Sequence, residues 1–106
     1  MGTSINDLKY LLERVLRCEP DKSGDHIRYT LKVNNRIIAK TKYSHSWRGS
    51  MQISAQMLSK QASDMRCSNQ TWKALLLGQV SKEIYFKELQ QNGHISQEEY
   101  DILCKN

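Results

Sequence analysis

The stretch from His26 to Tyr43 constrains the fold more than any other. Ile27, Tyr29, Leu31 and Val33 alternate with His26, Arg28, Thr30 and Lys32. A period of two marks a strand with one buried face and one exposed face. Asn34-Asn35 follows, a pair that tolerates positive φ, and a second β-branched run extends from Arg36 to Tyr43. The segment therefore reads as a β-hairpin over 25–44. A two-residue turn at Asn34-Asn35 would put Arg36, Lys40 and Lys42 on the face of Val33, Tyr29 and Ile27. A three-residue loop, Asn34 to Arg36, instead pairs Val33 with Ile37, Leu31 with Ala39, Tyr29 with Thr41 and Ile27 with Tyr43. That register keeps one face apolar and is the one expected. The outward face then carries His26, Arg28, Lys32, Lys40 and Lys42, with Ile38 as its clear apolar member.

The flanking sequence is helical. Ile5, Leu8, Leu11, Leu12, Val15 and Leu16 recur at helical spacing, Ser4 can cap the run and Pro20 follows its end. Glu19 to Asp25 reads as a loop. Beyond the polar stretch Ser44–Met51, the spacing of Ile53, Met57, Leu58, Ala62 and Met65 predicts a helix returning across the apolar face of the sheet. Three short helices are expected after it. One holds Trp72, Leu75 and Leu76 and ends at Gly78, the next holds Ile84, Tyr85, Phe86 and Leu89 and ends at Asn92-Gly93, and the last opens on the capping box Ser96–Glu99. The expected class is α+β: an N-terminal helix, a small antiparallel sheet backed by helices, and additional short C-terminal helices. Residues 1–67 form the basic-sheet core, and 68–106 a helical extension packed on the same domain, since 106 residues suffice for one domain.

Charge singles out the same hairpin. The chain carries a net charge of +5, and from Lys22 to Arg48 seven basic residues face one acidic residue, Asp25. Such a balance favours polyanionic partners or anionic membrane surfaces. Cys18, Cys67 and Cys104 are odd in number and contain no Cys-x-x-Cys pair, so neither a disulfide framework nor a zinc site is expected. No apolar run approaches membrane-spanning length, and no charged-then-apolar leader pattern is present. A cytoplasmic protein without membrane contact is expected.

Arg28, Lys32, Lys40 and Lys42 are the candidate phosphate contacts, joined by His45 and Arg48 beyond the second strand, and Trp47 is placed to stack on a base. His26 lies on the same expected face, where an imidazole could serve as general base toward the 2′-hydroxyl of RNA. His94 reads as a turn residue. Scattered carboxylates do not suggest a two-metal site, and no metal or cofactor is called for. RNA is the expected partner ahead of DNA. The alternative is a non-catalytic binding or adaptor module, with a DNA or protein partner, using the basic sheet or the C-terminal helices.

Gly24-Asp25-His26, Tyr29, the Asn34-Asn35 turn, the strand Arg36–Tyr43 and Ser44-His45 before a returning helix together resemble the HicA-type mRNA interferases of toxin–antitoxin systems. The resemblance covers roughly the first two thirds of the chain. It implies a double-stranded-RNA-binding-domain-like fold, with helix, three-stranded sheet and helix, and one strand-borne His that cleaves RNA without a metal. The family's Gly-Ser-His motif matches Gly24-Asp25-His26, so the catalytic role would fall on His26, and an antitoxin-like protein partner is implied. The chain departs from the pattern at Asp25, which stands for Ser, in a first strand that is missing or very short, and in its C-terminal third. Lys87–Tyr100 resembles the short helical-hairpin module found at the C-termini of many prokaryotic proteins, which implies packing or self-association.

Overall fold

The computed structural model describes residues 3–105; the terminal residues of the 1–67 and 68–106 assignments lie outside them. Among the described residues, five α-helices and a three-stranded antiparallel sheet make an α+β fold. Helix α1 spans Ile5–Tyr10 behind a capping box in which Ser4 and Asp7 each bond the other's backbone amide. It widens into a π-helical turn over Leu11–Val15, where the Leu16 amide donates to the Leu11 carbonyl at 2.9 Å. Buried Tyr29 donates its hydroxyl to the Glu13 carboxylate from this turn. Burial and that bond together hold the phenol well above its ordinary pKa.

Strand β1 is Glu19–Asp21, inside the segment expected to be a loop. It pairs antiparallel with β2, His26–Val33, which pairs in turn with β3, Arg36–Ser44. Pro20 is compatible with this position because β1 is an edge strand. The hairpin corrects the expected loop. Asn34 and Asn35 have φ of 50° and 68°, so the turn is a two-residue one that pairs Val33 with Arg36 and Lys32 with Ile37. Ile38 is then the extra residue of a β-bulge, and the ladder resumes with Leu31–Ala39, Tyr29–Thr41 and Ile27–Tyr43. The bulge lets turn chemistry and an apolar face coexist. In consequence Ile37 is 54% exposed and Ile38 only 2%, the reverse of the expectation, and Arg36 lies on the Val33 side rather than in the loop.

Helices α2 (Ala55–Asp64), α3 (Asn69–Leu76), α4 (Lys82–Gln91) and α5 (Gln97–Lys105) follow. Ser54 and Ser68 cap α2 and α3 through their hydroxyls. Ile53 lies just before α2 rather than within it, its amide bonded to the Thr3 carbonyl. One core cluster joins Leu8 and Leu12 of the first helix, Tyr29, Leu31 and Val33 of β2, and Trp72, Phe86 and Leu89 of α3 and α4. Buried polar groups inside it are paired: Trp72 Nε1 donates to Gln61 Oε1 at 3.2 Å, and the Tyr85 hydroxyl to the Met65 carbonyl at 2.8 Å. Burial pushes the Cys18 thiol up to about 12. None of the helices among the described residues is long and apolar enough to cross a membrane.

Candidate nucleic-acid interface

With Tyr29, Leu31, Val33, Ala39 and Tyr43 turned into the core, the even-numbered side chains of β2 and their partners on β3 form the opposite face. Register brings them together in rows. His26 stands across from Ser44, Arg28 from Lys42 and Thr30 from Lys40. Arg28, Lys40 and Lys42 are exposed, and His26 and Ser44 are half-buried. Cations directly opposite on an antiparallel pair repel. Ion pairs engage Lys32, Arg36 and Lys60, whereas Arg28, Lys40 and Lys42 make none among the described residues.

The face is less uniformly basic than the sequence window suggests, because β1 lays two carboxylates along one side of it. Glu19 stands across from Thr30 and Asp21 from Arg28. Glu19 accepts from Lys32 Nζ at 2.9 Å. Asp21 accepts from the Ser23 hydroxyl and amide at 2.6 and 3.0 Å. Those two bonds, and less strongly the charge of Arg28, hold its carboxyl below the usual range. The sheet face thus runs from acidic at the β1 edge to basic at the β3 edge.

At that basic edge, a notch of about 310 Å³ opens between β3 and α2. Arg28, Thr30, Lys40 and Lys42 line it from the sheet, Lys60 and Asp64 from the helix. Asp64 accepts from Thr41 Oγ1 at 3.0 Å and from Lys60 Nζ at 3.3 Å. Sequence alone did not bring Lys60 to the site. Its only signal was the Lys60–Asp64 spacing of one helical turn, which says nothing about which strand α2 crosses.

The remaining candidates sit elsewhere. Trp47 is half-buried and stacks on Tyr43 at 6.3 Å and 13°, and Tyr43 stacks on Tyr29 at 5.9 Å and 18°. Its ring therefore extends the packed side of the sheet and is not presented beside Arg28 and Lys42. His45 Nε2 donates to the Lys22 carbonyl at 2.8 Å, and its backbone amide donates to the Asp25 carbonyl at 3.2 Å. A carbonyl only accepts, so the bond fixes the proton on Nε2 and makes His45 a staple for the loop leading into His26. Arg48 lines a separate shallow depression with Ser46, Ser50 and Met51. His94 Nδ1 lies 3.1 Å from Arg66 Nη1, away from the sheet face. No group of three or more His, Cys, Asp or Glu among the described residues is arranged to hold a metal ion. In comparison with known proteins, the chain matches no family model, no curated protein and no solved structure.

Proposed function

We propose that this is an RNA-binding protein of the cytoplasm which grips the phosphate backbone on the basic sheet face and cleaves it at His26 without a metal. One observation carries the reading: Arg28 of β2 and Lys42 of β3 stand opposite each other, with Lys40 two residues along β3 and His26 at the start of β2, all on the face of the sheet opposite Tyr29, Leu31 and Tyr43. Unpaired cations held side by side cost stability until an anion joins them. A phosphodiester is such an anion, and strand-borne Arg and Lys are suited to it.

For cleavage, His26 would take the proton of a 2′-hydroxyl as that oxygen attacks the adjacent phosphorus. The 2′-oxygen–phosphorus bond forms, the bond to the 5′-oxygen breaks, and the imidazolium returns the proton to the leaving oxygen, giving a 2′,3′-cyclic phosphate and a 5′-hydroxyl. Arg28 and Lys42 would hold the phosphate and balance the charge gathered on its oxygens. The Lys22–Asp25 loop, tied down by His45, fixes where the His26 strand begins.

The test is a binding and cleavage assay on a mixed-sequence labelled RNA in EDTA, comparing the natural protein with His26→Ala. Cleavage lost while binding survives supports the enzyme. Salt-sensitive binding by both proteins without cleavage would leave an RNA-binding module, and absence of binding would overturn the proposal.

A further inference from the structure

The notch at the β3 edge offers more than the flat face requires. Three of its cations come from the sheet, and the fourth, Lys60, reaches over from α2. Its single carboxylate, Asp64, is already occupied by the Thr41 hydroxyl and by Lys60 itself. The walls therefore keep an excess of positive charge in a concave space, where fields of one sign concentrate. Every lining residue is polar or charged. A groove built to dock a protein presents an apolar or aromatic anchor, and this one has none. Rows along a strand repeat every two residues, so the Arg28–Lys42 row and the Thr30–Lys40 row lie roughly 7 Å apart. That separation is close to the distance between successive phosphates of an extended strand.

We infer that the notch is a second phosphate subsite for single-stranded RNA, in which Lys40 and Lys60 hold the phosphate next to the one on Arg28 and Lys42, and Asp64 holds Lys60 in place until RNA arrives. The inference rests on the RNA-binding reading above and extends it from the flat face over the sheet edge. Asp64 has a definite part in it. Its carboxylate competes with the incoming phosphate for Lys60, so removing its charge strengthens binding, whereas removing Lys60 weakens it.

The experiment measures the affinity of a labelled 12-nucleotide single-stranded RNA over a tenfold range of salt. It compares the natural protein with Lys60→Ala, Asp64→Asn and Lys42→Ala, each checked for an unchanged circular-dichroism spectrum. One lost phosphate contact flattens the log–log salt slope by about 0.7 and, over that range, weakens low-salt binding by about fivefold. Lys60→Ala and Lys42→Ala should each do this, and Asp64→Asn, whose side-chain oxygen still accepts from Thr41, should shift affinity the other way. A natural slope in Lys60→Ala, with a flattened slope in Lys42→Ala, would overturn the notch and leave the face reading standing. No RNA binding by the natural protein would remove both. A deca-glutamate peptide that displaces the RNA at equal charge, and loses this ability in Lys60→Ala, would overturn the inference in favour of an acidic peptide.

Discussion

Arg36 and Glu99, 63 residues apart, form a two-pronged pair in which Nε donates to Oε2 at 2.7 Å and Nη2 to Oε1 at 2.6 Å. Arg36 Nη2 also donates to the His94 carbonyl at 2.9 Å. Glu99 is at the same time the capping-box carboxylate of α5, accepting from the Ser96 amide at 2.8 Å. One side chain thus caps the last helix and fastens it to the tip of the hairpin. The Arg36 bonds, followed by the Ser96 amide, hold the Glu99 carboxyl at about 2, against an ordinary 4.5. A carboxyl depressed on folding stabilises the fold above its unfolded value and loses that contribution as pH falls through the folded one. Glu99→Gln should accordingly lower Tm at pH 7 by about 4 °C. Melting curves of the two proteins should converge between pH 4.5 and about pH 2. A gap in Tm that persists at pH 2 would show that the carboxylate charge is not what the clamp uses.

The acidic edge of the sheet makes its own prediction about RNA. Lys32 is held by Glu19, so it contributes little free charge to the face. Glu19→Gln releases it and should steepen the salt dependence of RNA binding by about 0.7 in slope. The double variant Glu19→Gln with Lys32→Ala removes the pair as a neutral unit and should return to the natural slope. Filter binding across a salt series reads both, and an unaltered slope in Glu19→Gln would mean that RNA never approaches this side of the sheet.

The hairpin shows how far a sequence carries and where it stops. The pairing of Leu31 with Ala39, Tyr29 with Thr41 and Ile27 with Tyr43 follows from alternation alone, because a slip of one residue would expose Tyr29 and Leu31. The bulge does not follow. Ile37 and Ile38 are the same residue, and which one turns inward depends on whether the turn or the strand absorbs the extra position. The Asn34-Asn35 turn keeps its preferred two-residue geometry and the strand absorbs it at Ile38. Strand β1 was hidden for a different reason. All three of its residues are exposed, so no apolar period marks it, and it is a strand only through its ladder with β2. Within the candidate site, the residues legible in advance are those on the alternating face. Lys60 enters through helix-on-sheet packing, and Trp47 is withdrawn by continuing the Tyr29–Tyr43 stack. Both outcomes are set by contacts between distant segments, which local pattern does not encode.

The loop after β3 is sewn to the first helix, and Gly49 lies against the Asn6 side chain. The amides of Ile5 and Asn6 donate to the carbonyls of Met51 and Gly49, each at 2.9 Å. A Cβ at position 49 would stand 2.3 Å from Asn6 Oδ1 and 2.7 Å from its Cγ. The φ of Gly49 is not among the positive ones, so backbone conformation does not demand glycine there, and the Asn6 side chain does. Gly49→Ala should therefore cost about 1 kcal/mol, the cost of displacing the exposed Asn6 side chain from its place against the loop. Asn6→Ala, which clears the space, should by itself stay within about 0.5 kcal/mol of the natural protein. In the double variant the clash is gone and only the reduced freedom of the unfolded chain remains, which favours folding by about 0.5 kcal/mol. Urea unfolding of the four proteins closes the cycle, with a coupling of about 1 kcal/mol or more expected between the two sites. A double variant as unstable as Gly49→Ala alone would place the cost in the backbone of the loop and not in its contact with Asn6.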